Sequence, residues 1–374
     1  MPDVVIVGGG AIGLAVAWTT ARRGAAVTVV DPAPGSGASH VAAGMLAPAG
    51  EAQFGEERLL ALALESWRRY PGFVAELEAE SGCTTGYREC GSLFVARDAD
   101  DLASMRRDAD FRAQLGLDTT RLTSRECRRL EPRLAPGTRG GFLAVNDHQI
   151  DPRALIEALL VGCARAGVTV VREAPEIVSD GGGVAGVRTS DGTLTADAVV
   201  LAAGSWSAQV RGLPGTALPP VRPVKGQILR LRDARRQPLA AHLIRGRDVY
   251  IVPRADGRVV VGATVEERGY DASVTAGAVH DLLRDARELV PDVAELELVE
   301  AAAGLRPGTP DNAPIIGWSG VRRLLIATGH HRNGILLTPI TADVVAALLA
   351  GEAAPALAGG FGPERFTAVA QVVA

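Results

Sequence analysis

The chain has 374 residues, of which 47% are hydrophobic, and its 39 basic and 43 acidic residues give a formal net charge of −4. This length has room for two domains with a substantial core, while the mixed charges form no basic stripe or polybasic tail, which argues against nucleic acid and anionic membranes as partners. The first predicted strand begins at Asp3 or Val4. We therefore expect no signal or transit peptide, no membrane span, and a cytoplasmic protein whose partners are small molecules.

The first turn of the chain is a glycine-rich loop between a strand and a helix. Residues 4–13 read V-V-I-V-G-G-G-A-I-G. Gly8 allows the tight turn, Gly10 lets the backbone approach a pyrophosphate, and Gly13 lets the helix lie close to the strand. This motif is specific only with the right flanking elements, because the chain contains 44 glycines.

The flanking elements are those of a βαβ unit. Good helix formers run to Gly24, a second apolar run begins at Ala25, and Asp31 follows it directly. An acid at the end of the second strand is suited to bind a ribose hydroxyl pair and repels a 2′-phosphate. The sequence predicts a dinucleotide site here; the alternative is an ordinary βαβ unit with a solvent-exposed Asp31.

The next part of the chain supplies a loop and several helices. Residues 32–48 are rich in small residues and suited to run close under a ligand. Residues 56–80 predict two helical pieces separated at Pro71. Thr123 and Glu126 predict a capping box, and Asp151 with Pro152 predicts the start of a helix that ends at Gly167.

Strands dominate the later part of the chain. Residues 183–196 predict a hairpin, residues 199–204 a buried strand, and the alternating pattern beyond Gly226 an antiparallel sheet. The glycine- and proline-rich residues 304–314 predict an irregular loop. A buried strand follows at 324–328, and the last helix is predicted from Ile335 to Leu349 with Pro339 in its first turn.

These elements predict a mixed α/β fold in which a Rossmann-like domain with a parallel sheet is interleaved with a domain built on an antiparallel sheet. The dinucleotide-binding domain is assigned to residues 1–45, 141–225 and 301–374. The substrate domain is assigned to residues 46–140 and 226–300.

Cysteine and histidine spacing gives no sign of a metal centre. Cys83, Cys90, Cys127 and Cys163 form no C-x-x-C pair and suit reduced, structural thiols. His330 and His331 are adjacent in sequence, and such neighbours rarely bind the same ion. We predict no metal site and no disulfide framework.

Seven motifs in order give the chain a resemblance to the FAD-dependent amino-acid and amine oxidases, and within them to the glycine oxidases of thiamine biosynthesis. Besides the glycine turn, the motifs are A-A-G-M-L-A-P at Ala42, A-D-A-V-V-L-A-A-G-S-W-S at Ala196, P-V-K-G-Q at Pro223, Y-I-V-P-R at Tyr250, G-L-R-P-G-T at Gly304 and G-H-H-R-N-G-I-L-L at Gly329.

The resemblance implies that Tyr250, Arg306 and Arg332 lie at the substrate. A guanidinium suits the carboxylate of a small amino acid because it donates two parallel charge-assisted hydrogen bonds. Arg306, predicted in a stiff loop, is assigned this role, with Tyr250 adding a hydroxyl donor. Arg332 is expected to stabilise negative charge on the reduced flavin. The alternatives are an arginine that braces a loop and a core tyrosine with a satisfied hydroxyl.

The resemblance also implies non-covalent FAD, because no cysteine follows Cys163, where covalently flavinylated relatives carry one. Val265 departs from the methionine of many glycine oxidases, which leaves strict glycine preference open. The predicted FAD-binding residues are Gly8, Gly10, Ala11, Ile12, Gly13, Asp31, Pro32, Ala38, Ser39, Ala43, Gly44, Met45, Gly204, His330, His331, Asn333, Gly334, Ile335 and Leu336.

The implied function is oxidation of glycine, sarcosine, D-alanine or D-proline by hydride transfer to FAD, with oxygen as acceptor. The products are an imine or glyoxylate, ammonia and hydrogen peroxide. The resemblance further implies a homo-oligomer, typically a tetramer, and handover of the imine to a thiazole synthase. Two alternatives stay open: a D-amino-acid or N-methyl-amino-acid dehydrogenase that uses another acceptor, and a non-catalytic dinucleotide-binding protein.

Overall fold

The structure is a computed structural model that describes residues 2–366. Within this range there are eight α-helices: α1 (Ala11–Arg22), α2 (Ala38–Val41), α3 (Glu57–Ser81), α4 (Ala99–Gln114), α5 (Ser124–Leu130), α6 (Pro152–Arg165), α7 (Ala276–Leu289) and α8 (Thr338–Leu349).

The same range contains twenty strands: β1 (Val4–Val7), β2 (Val27–Val30), β3 (Met45–Leu46), β4 (Arg88–Glu89), β5 (Ser92–Ala96), β6 (Thr119–Thr123), β7 (Gly140–Ala144), β8 (His148–Gln149), β9 (Thr169–Val171), β10 (Glu176–Ser179), β11 (Val184–Thr189), β12 (Gly192–Thr195), β13 (Ala198–Leu201), β14 (Arg222–Arg232), β15 (Leu243–Arg245), β16 (Tyr250–Pro253), β17 (Arg258–Gly262), β18 (Glu297–Gly308), β19 (Ile315–Trp318) and β20 (Leu324–Thr328).

The first of the two large sheets is the predicted parallel sheet. Its order is β19-β20-β13-β1-β2-β9, and all pairs are parallel except the antiparallel pair of β19 and β20. Strands β1, β13 and β20 are buried along their whole length, as expected for a sheet covered on both faces. Helix α1 packs against α6 and the apolar α8. The Rossmann-like prediction is confirmed.

The second large sheet is the predicted antiparallel sheet, with eight strands in the order β18-β14-β17-β16-β15-β5-β7-β6. Its pairs are antiparallel except β15 with β5. The hairpin predicted for residues 183–196 is also present, as β11 and β12. Two three-stranded sheets, β10-β11-β12 and β3-β8-β4, complete the pairing.

One predicted loop is part of a strand. We expected residues 304–314 to be irregular, but residues 304–308 end the twelve-residue strand β18, with Gly304 opposite Gly226 and Pro307 opposite Pro223. Strand β18 is an edge strand, where glycine and proline are tolerated. Arg306 therefore projects from a strand, and its predicted place in a stiff loop is wrong.

A second difference concerns Pro71. Instead of two helical pieces, residues 57–81 form the single helix α3, with Pro71 on its solvent-exposed side. Its buried side is held just before the proline, because the Ser66 hydroxyl donates to the carbonyl of Leu336 (2.6 Å) and the Tyr70 hydroxyl to that of Ile335 (2.6 Å). Packing on both sides of Pro71 keeps the helix continuous.

The last helix begins later than predicted. Residues 334–337 form turns, and α8 starts at Thr338 with Pro339 in its first turn. Strands β7, β14 and β18 run across the predicted domain boundaries at 140, 225 and 300, and the boundaries themselves stay predictions. The predicted segment 301–374 extends past the described residues at 367–374, and Met1 also lies outside them.

Candidate active site

The glycine turn owes its shape to two close backbone approaches. Gly8 has φ +112°, and a Cβ there would lie 2.4 Å from the carbonyl oxygen of Ala202. A Cβ on Gly13 would lie 1.9 Å from the carbonyl oxygen of Gly8. By contrast, a Cβ on Gly10 would meet only the Ser39 hydroxyl, at 3.6 Å. Gly13 thus allows α1 to pack close to β1, Gly8 lets the turn approach the chain after β13, and Gly10 keeps the space beside the turn open.

Asp31 joins the end of β2 to the glycine turn. Its Oδ2 accepts the Gly9 N–H at 2.7 Å, and its Oδ1 accepts the Ala33 N–H at 2.7 Å. The Ser39 hydroxyl oxygen accepts the Ala11 N–H at the start of α1 (3.1 Å). Each carboxylate oxygen keeps a lone pair for a further donor, as a ribose hydroxyl pair requires.

A cavity of about 1130 Å³ runs from this turn to the face of the antiparallel sheet, and it exceeds the ~300–1,000 Å³ of ordinary ligand pockets. Gly13 and Leu336 are buried beside it without lining it. The predicted residues that line it are Gly8, Gly10, Ala11, Ile12, Asp31, Pro32, Ala38, Ser39, Ala43, Gly44, Met45, Gly204, Tyr250, Arg306, His330, His331, Arg332, Asn333, Gly334 and Ile335.

Arg306 lies at the sheet end of the cavity on β18. Its Nη1 donates to the carbonyl oxygens of Thr264 (3.1 Å) and Lys225 (3.4 Å), and among residues 2–366 it forms no ion pair. A Cβ on Gly226 would lie 2.3 Å from Nη1. The guanidinium therefore rests on bare backbone and keeps donors and a positive charge for a ligand.

Tyr250 lies three strands away in the same sheet, on β16. It packs over Gly262, where a Cβ would come within 2.4 Å of the hydroxyl oxygen. The hydroxyl makes no hydrogen bond to any residue in the described range 2–366. Burial raises the pKa of Tyr250, with the positive Arg306 acting against this rise. The phenol is therefore a protonated donor at neutral pH.

Arg332 reaches the cavity from the 3-10 turn His331–Asn333, but acidic neighbours already neutralise it. Its Nε lies 3.2 Å from Oε2 of Glu51 without hydrogen-bond alignment, and its Nη2 donates to Glu56. It also donates to the backbone carbonyl of Glu51 (3.3 Å). Its role toward the flavin stays a prediction.

Sequence reasoning missed Glu51 and Arg245, which both line the cavity. Arg245 Nη2 donates to Glu51 Oε1 at 2.8 Å. Burial acts to raise the pKa of Glu51, but Arg245 and Arg332 more than offset it, so that the pKa lies below its ordinary value. The available signal was position, since Glu51 follows the Met45 segment and Arg245 precedes Tyr250 by five residues.

The two adjacent histidines are neutral and differently placed. Burial lowers the pKa of His330 to about 3, and its Nε2 lies 3.0 Å from the Thr341 hydroxyl. His331 has φ +48°, and burial, aided by Arg332 and Arg306, lowers its pKa to about 4. His331 Nδ1 has no hydrogen-bond partner within residues 2–366.

No group of three or more His, Cys, Asp or Glu side chains in residues 2–366 has the arrangement of a metal site. In the same range no helix combines the length and apolar character needed to cross a membrane. The four cysteines are free thiols, and none of them lines the cavity.

Comparison with known proteins decides the family. The model of the FAD-dependent oxidoreductase family matches residues 3–348. The chain belongs to this family. FAD is therefore the cofactor, and the described residues fit it, because bare glycine backbone, the start of α1 and Asp31 line one end of a dinucleotide-sized cavity.

The most similar members of the family include glycine oxidases. The chain is 36% identical to the bifunctional protein ThiO/ThiG of Synechocystis over 97% of its own length, and it spans 54% of that relative. It is 37% identical to the glycine oxidase of Geobacillus kaustophilus, covering 93% of this chain and 92% of the relative. The crystal structure of glycine oxidase from that organism has a TM-score of 0.90 at 35% identity, covering 97% of this chain and 98% of that one.

Proposed function

We propose that this flavoprotein is an amino-acid oxidase that acts on glycine and other small amines or D-amino acids, such as sarcosine, D-alanine and D-proline. The observation that carries the proposal is the unpaired Arg306 guanidinium beside the unbonded Tyr250 hydroxyl in a cavity that fits FAD. A substrate carboxylate on Arg306 would accept two parallel hydrogen bonds. The similarity in sequence and structure to the glycine oxidase of Geobacillus kaustophilus supports the same substrate class.

In this proposal the chain acts by positioning. Arg306 and Tyr250 would hold the carboxylate and so fix the orientation of the substrate in the cavity. FAD, held without a covalent link along the glycine turn and Asp31, would supply a hydride acceptor that oxygen reoxidises with release of hydrogen peroxide. The substrate amine must lose its proton before the transfer, and the neutral His331 and the charged Glu51 both line the cavity in unprotonated form.

The product is an imine, which water converts to glyoxylate and ammonia when glycine is the substrate. We propose that the imine is also passed to a thiazole synthase for thiamine synthesis. Support comes from the relatives named bifunctional protein ThiO/ThiG, whose name indicates two functions in one chain. This chain spans about half of their length. A homo-oligomer, a tetramer by resemblance, is part of the same proposal.

The test is peroxide release by the purified yellow protein from glycine, sarcosine, D-alanine, D-proline and the L-forms of the last two. We expect turnover of glycine and sarcosine, with one peroxide formed for each substrate consumed. Reduction of a dye without peroxide would instead identify a dehydrogenase. A flavin that no amino acid reduces would contradict the proposal and leave a non-catalytic dinucleotide-binding protein.

A further inference from the structure

The substrate end of the cavity contains more positive charge than one carboxylate needs. Arg245, Arg306 and Arg332 all line it. Arg306 forms no ion pair among residues 2–366, whereas the other two contact the same carboxylate, that of Glu51. This carboxylate therefore determines how many free cations a ligand meets.

Glu51 is placed between the two arginines and still faces the cavity. Its Oε1 accepts from Arg245 Nη2 at 2.8 Å, its Oε2 lies 3.2 Å from Arg332 Nε, and 18% of its side chain is exposed. Its pKa lies below the ordinary value despite burial, because of Arg245 and Arg332 and, to a smaller extent, Arg306. Glu51 is thus ionised at neutral pH.

Both arginines are held in place independently of Glu51. The guanidinium of Arg245 lies 5.1 Å from the centre of the Phe94 ring, and a Cβ on Gly50 would lie 2.4 Å from its Nη1. Arg332 is anchored by Glu56, whose side chain does not line the cavity. Without the charge of Glu51, Arg245 would lose its ion-pair partner and Arg332 would keep only Glu56, so the positive charge facing the cavity would increase.

We propose that Glu51 is a specificity-determining residue that restricts the site to substrates with a single carboxylate. It neutralises Arg245 and Arg332 and leaves Arg306 as the cation that binds the substrate carboxylate. A second carboxylate on the substrate would meet the negative charge of Glu51 in a partly buried site, where charges are weakly screened. This inference rests on the proposed function, because it takes the first carboxylate to be bound at Arg306.

A binding experiment tests this with ligands that undergo no turnover. Malonate and its monoamide malonamate have nearly the same shape and differ by one negative charge. We would titrate each into the FAD-loaded wild-type protein and into Glu51→Gln at pH 8 and low ionic strength, by calorimetry. We expect wild type to bind malonamate at least tenfold more tightly than malonate, and Glu51→Gln to reduce this ratio at least tenfold.

A turnover experiment adds a matched control. The ratio of kcat/KM for iminodiacetate to that for sarcosine is expected to rise at least tenfold in Glu51→Gln. Glu56→Gln is the control, because it removes the other carboxylate that pairs with Arg332, and this carboxylate does not face the cavity. In this variant the ratio is expected to change less than threefold. Glu51→Asp, which keeps the charge, should retain wild-type selectivity.

Three results would overturn the inference. Wild-type protein that binds malonate at least as tightly as malonamate contradicts it, even if Glu51→Gln fails to fold. A folded, yellow Glu51→Gln with unchanged ratios also contradicts it, while wild-type oxidation of sarcosine would leave the proposed function intact. Wild-type protein that oxidises sarcosine but binds neither ligand at millimolar concentration would overturn the inference, because the inference takes a carboxylate to be bound at Arg306, and would leave the proposed function intact.

Discussion

The side chain of Arg306 lies over Gly226 of the neighbouring strand, and this contact sets the position of the proposed carboxylate-binding group. Gly226 is opposite Gly304 in the ladder between β14 and β18, two residues along β18 from Arg306. The guanidinium lies where the side chain of any other residue at 226 would be. The sequence motif P-V-K-G-Q that contains Gly226 thus has a physical reason, which is room for this arginine.

Gly226→Ala is therefore expected to displace Arg306 without removing it. A Cβ at 2.3 Å from Nη1 moves the flexible end of the side chain rather than backbone, so the protein should fold and retain FAD. The KM for glycine should rise roughly 100-fold, because a charge-assisted pair worth about 2–5 kcal/mol is lost or distorted. Steady-state kinetics of Gly226→Ala and Arg306→Met, measured side by side, would check this, and we expect KM to rise equally in the two variants.

Gly277→Ala is the control for that experiment, because nothing lies within 4 Å of a Cβ at this helical position. It should leave KM unchanged. If Gly226→Ala also kept the wild-type KM while Arg306→Met did not, the position of the Arg306 guanidinium over Gly226 would not be required for substrate binding.

The sequence predicted residues inside motifs and missed residues joined only by the fold. Asp31 and the glycine turn could be predicted because their partners lie within one βαβ unit. Glu51 and Arg245 could not, because their ion pair joins residues 194 positions apart. Arg332 was predicted at the site from resemblance, but its neutralisation by Glu51 and Glu56 follows from a loop whose path no local pattern indicates.

At the scale of elements, the close approach of the turn between β1 and α1 to the chain after β13 depends on Gly8. An alanine at Gly8 would adopt φ +112° and approach the carbonyl of Ala202 on the neighbouring strand connection. An alanine at Gly24 would also need a positive φ, +90°, but it would meet no atom within 4 Å. Comparing the alanine variants at Gly8 and Gly24 therefore distinguishes the cost of backbone strain from the cost of steric overlap.

We expect Gly24→Ala to cost about 1 kcal/mol of the free energy of unfolding and to retain FAD. Gly8→Ala should cost at least about 2 kcal/mol more, because overlap is added to strain, and it should lose most of its FAD. Denaturant unfolding and the flavin-to-protein absorbance ratio measure both effects. Equal costs for the two variants would show that the strand connection yields to the added methyl group.

Helix α3 shows why tertiary packing can override a local signal. Proline inside a helix removes one hydrogen bond and costs about 3 kcal/mol, which is why residues 56–80 were predicted as two pieces. The bonds of Ser66 and Tyr70 to the backbone before α8 and the buried Val74 and Leu77 hold the helix on both sides of Pro71. Propensity alone could not predict this outcome.

Pro71→Ala should therefore stabilise the protein. It restores the missing hydrogen bond at an exposed position, so we expect a gain of about 1–3 kcal/mol in the free energy of unfolding and no change in kcat/KM. Thermal and denaturant unfolding would measure the gain. A loss of stability would mean that the proline ring itself packs usefully or that the helix bends there to fit its neighbours.

At the scale of the whole molecule, patterns in the sequence predicted one parallel and one antiparallel sheet but not the order of their strands, which depends on contacts between distant segments. Buried titratable groups govern the pH dependence of stability. Burial holds the pKa of His330 at about 3 and that of His331 at about 4, below the value of about 6.5 in an unfolded chain. At a pH between the folded and the unfolded pKa values, both histidines are neutral in the folded protein and protonated in the unfolded chain. Their contribution is fully present above pH 6.5 and is lost as the pH falls.

We therefore expect the free energy of unfolding to fall between pH 6.5 and pH 5, by up to about 1.4 kcal/mol per pH unit for each histidine. Asp147 acts in the opposite direction below pH 6, because burial raises its pKa to about 6. His330→Gln, which retains a partner for Thr341, should reduce the slope by up to one proton. Denaturant titrations at several pH values test this, and an unchanged slope would show that His330 is protonated in the folded protein.

In the proposed function, a small amino acid bound at Arg306 reduces the flavin. Anaerobic mixing of the yellow protein with glycine or sarcosine in a spectrophotometer tests it most directly. We predict bleaching of the flavin band by substrate, return of the colour when air is admitted, one peroxide per flavin reoxidised, and no bleaching of Arg306→Met at the same substrate concentration. Two results would contradict this proposal: a flavin that stays yellow with every amino acid offered, or a flavin band that bleaches in Arg306→Met as readily as in wild type.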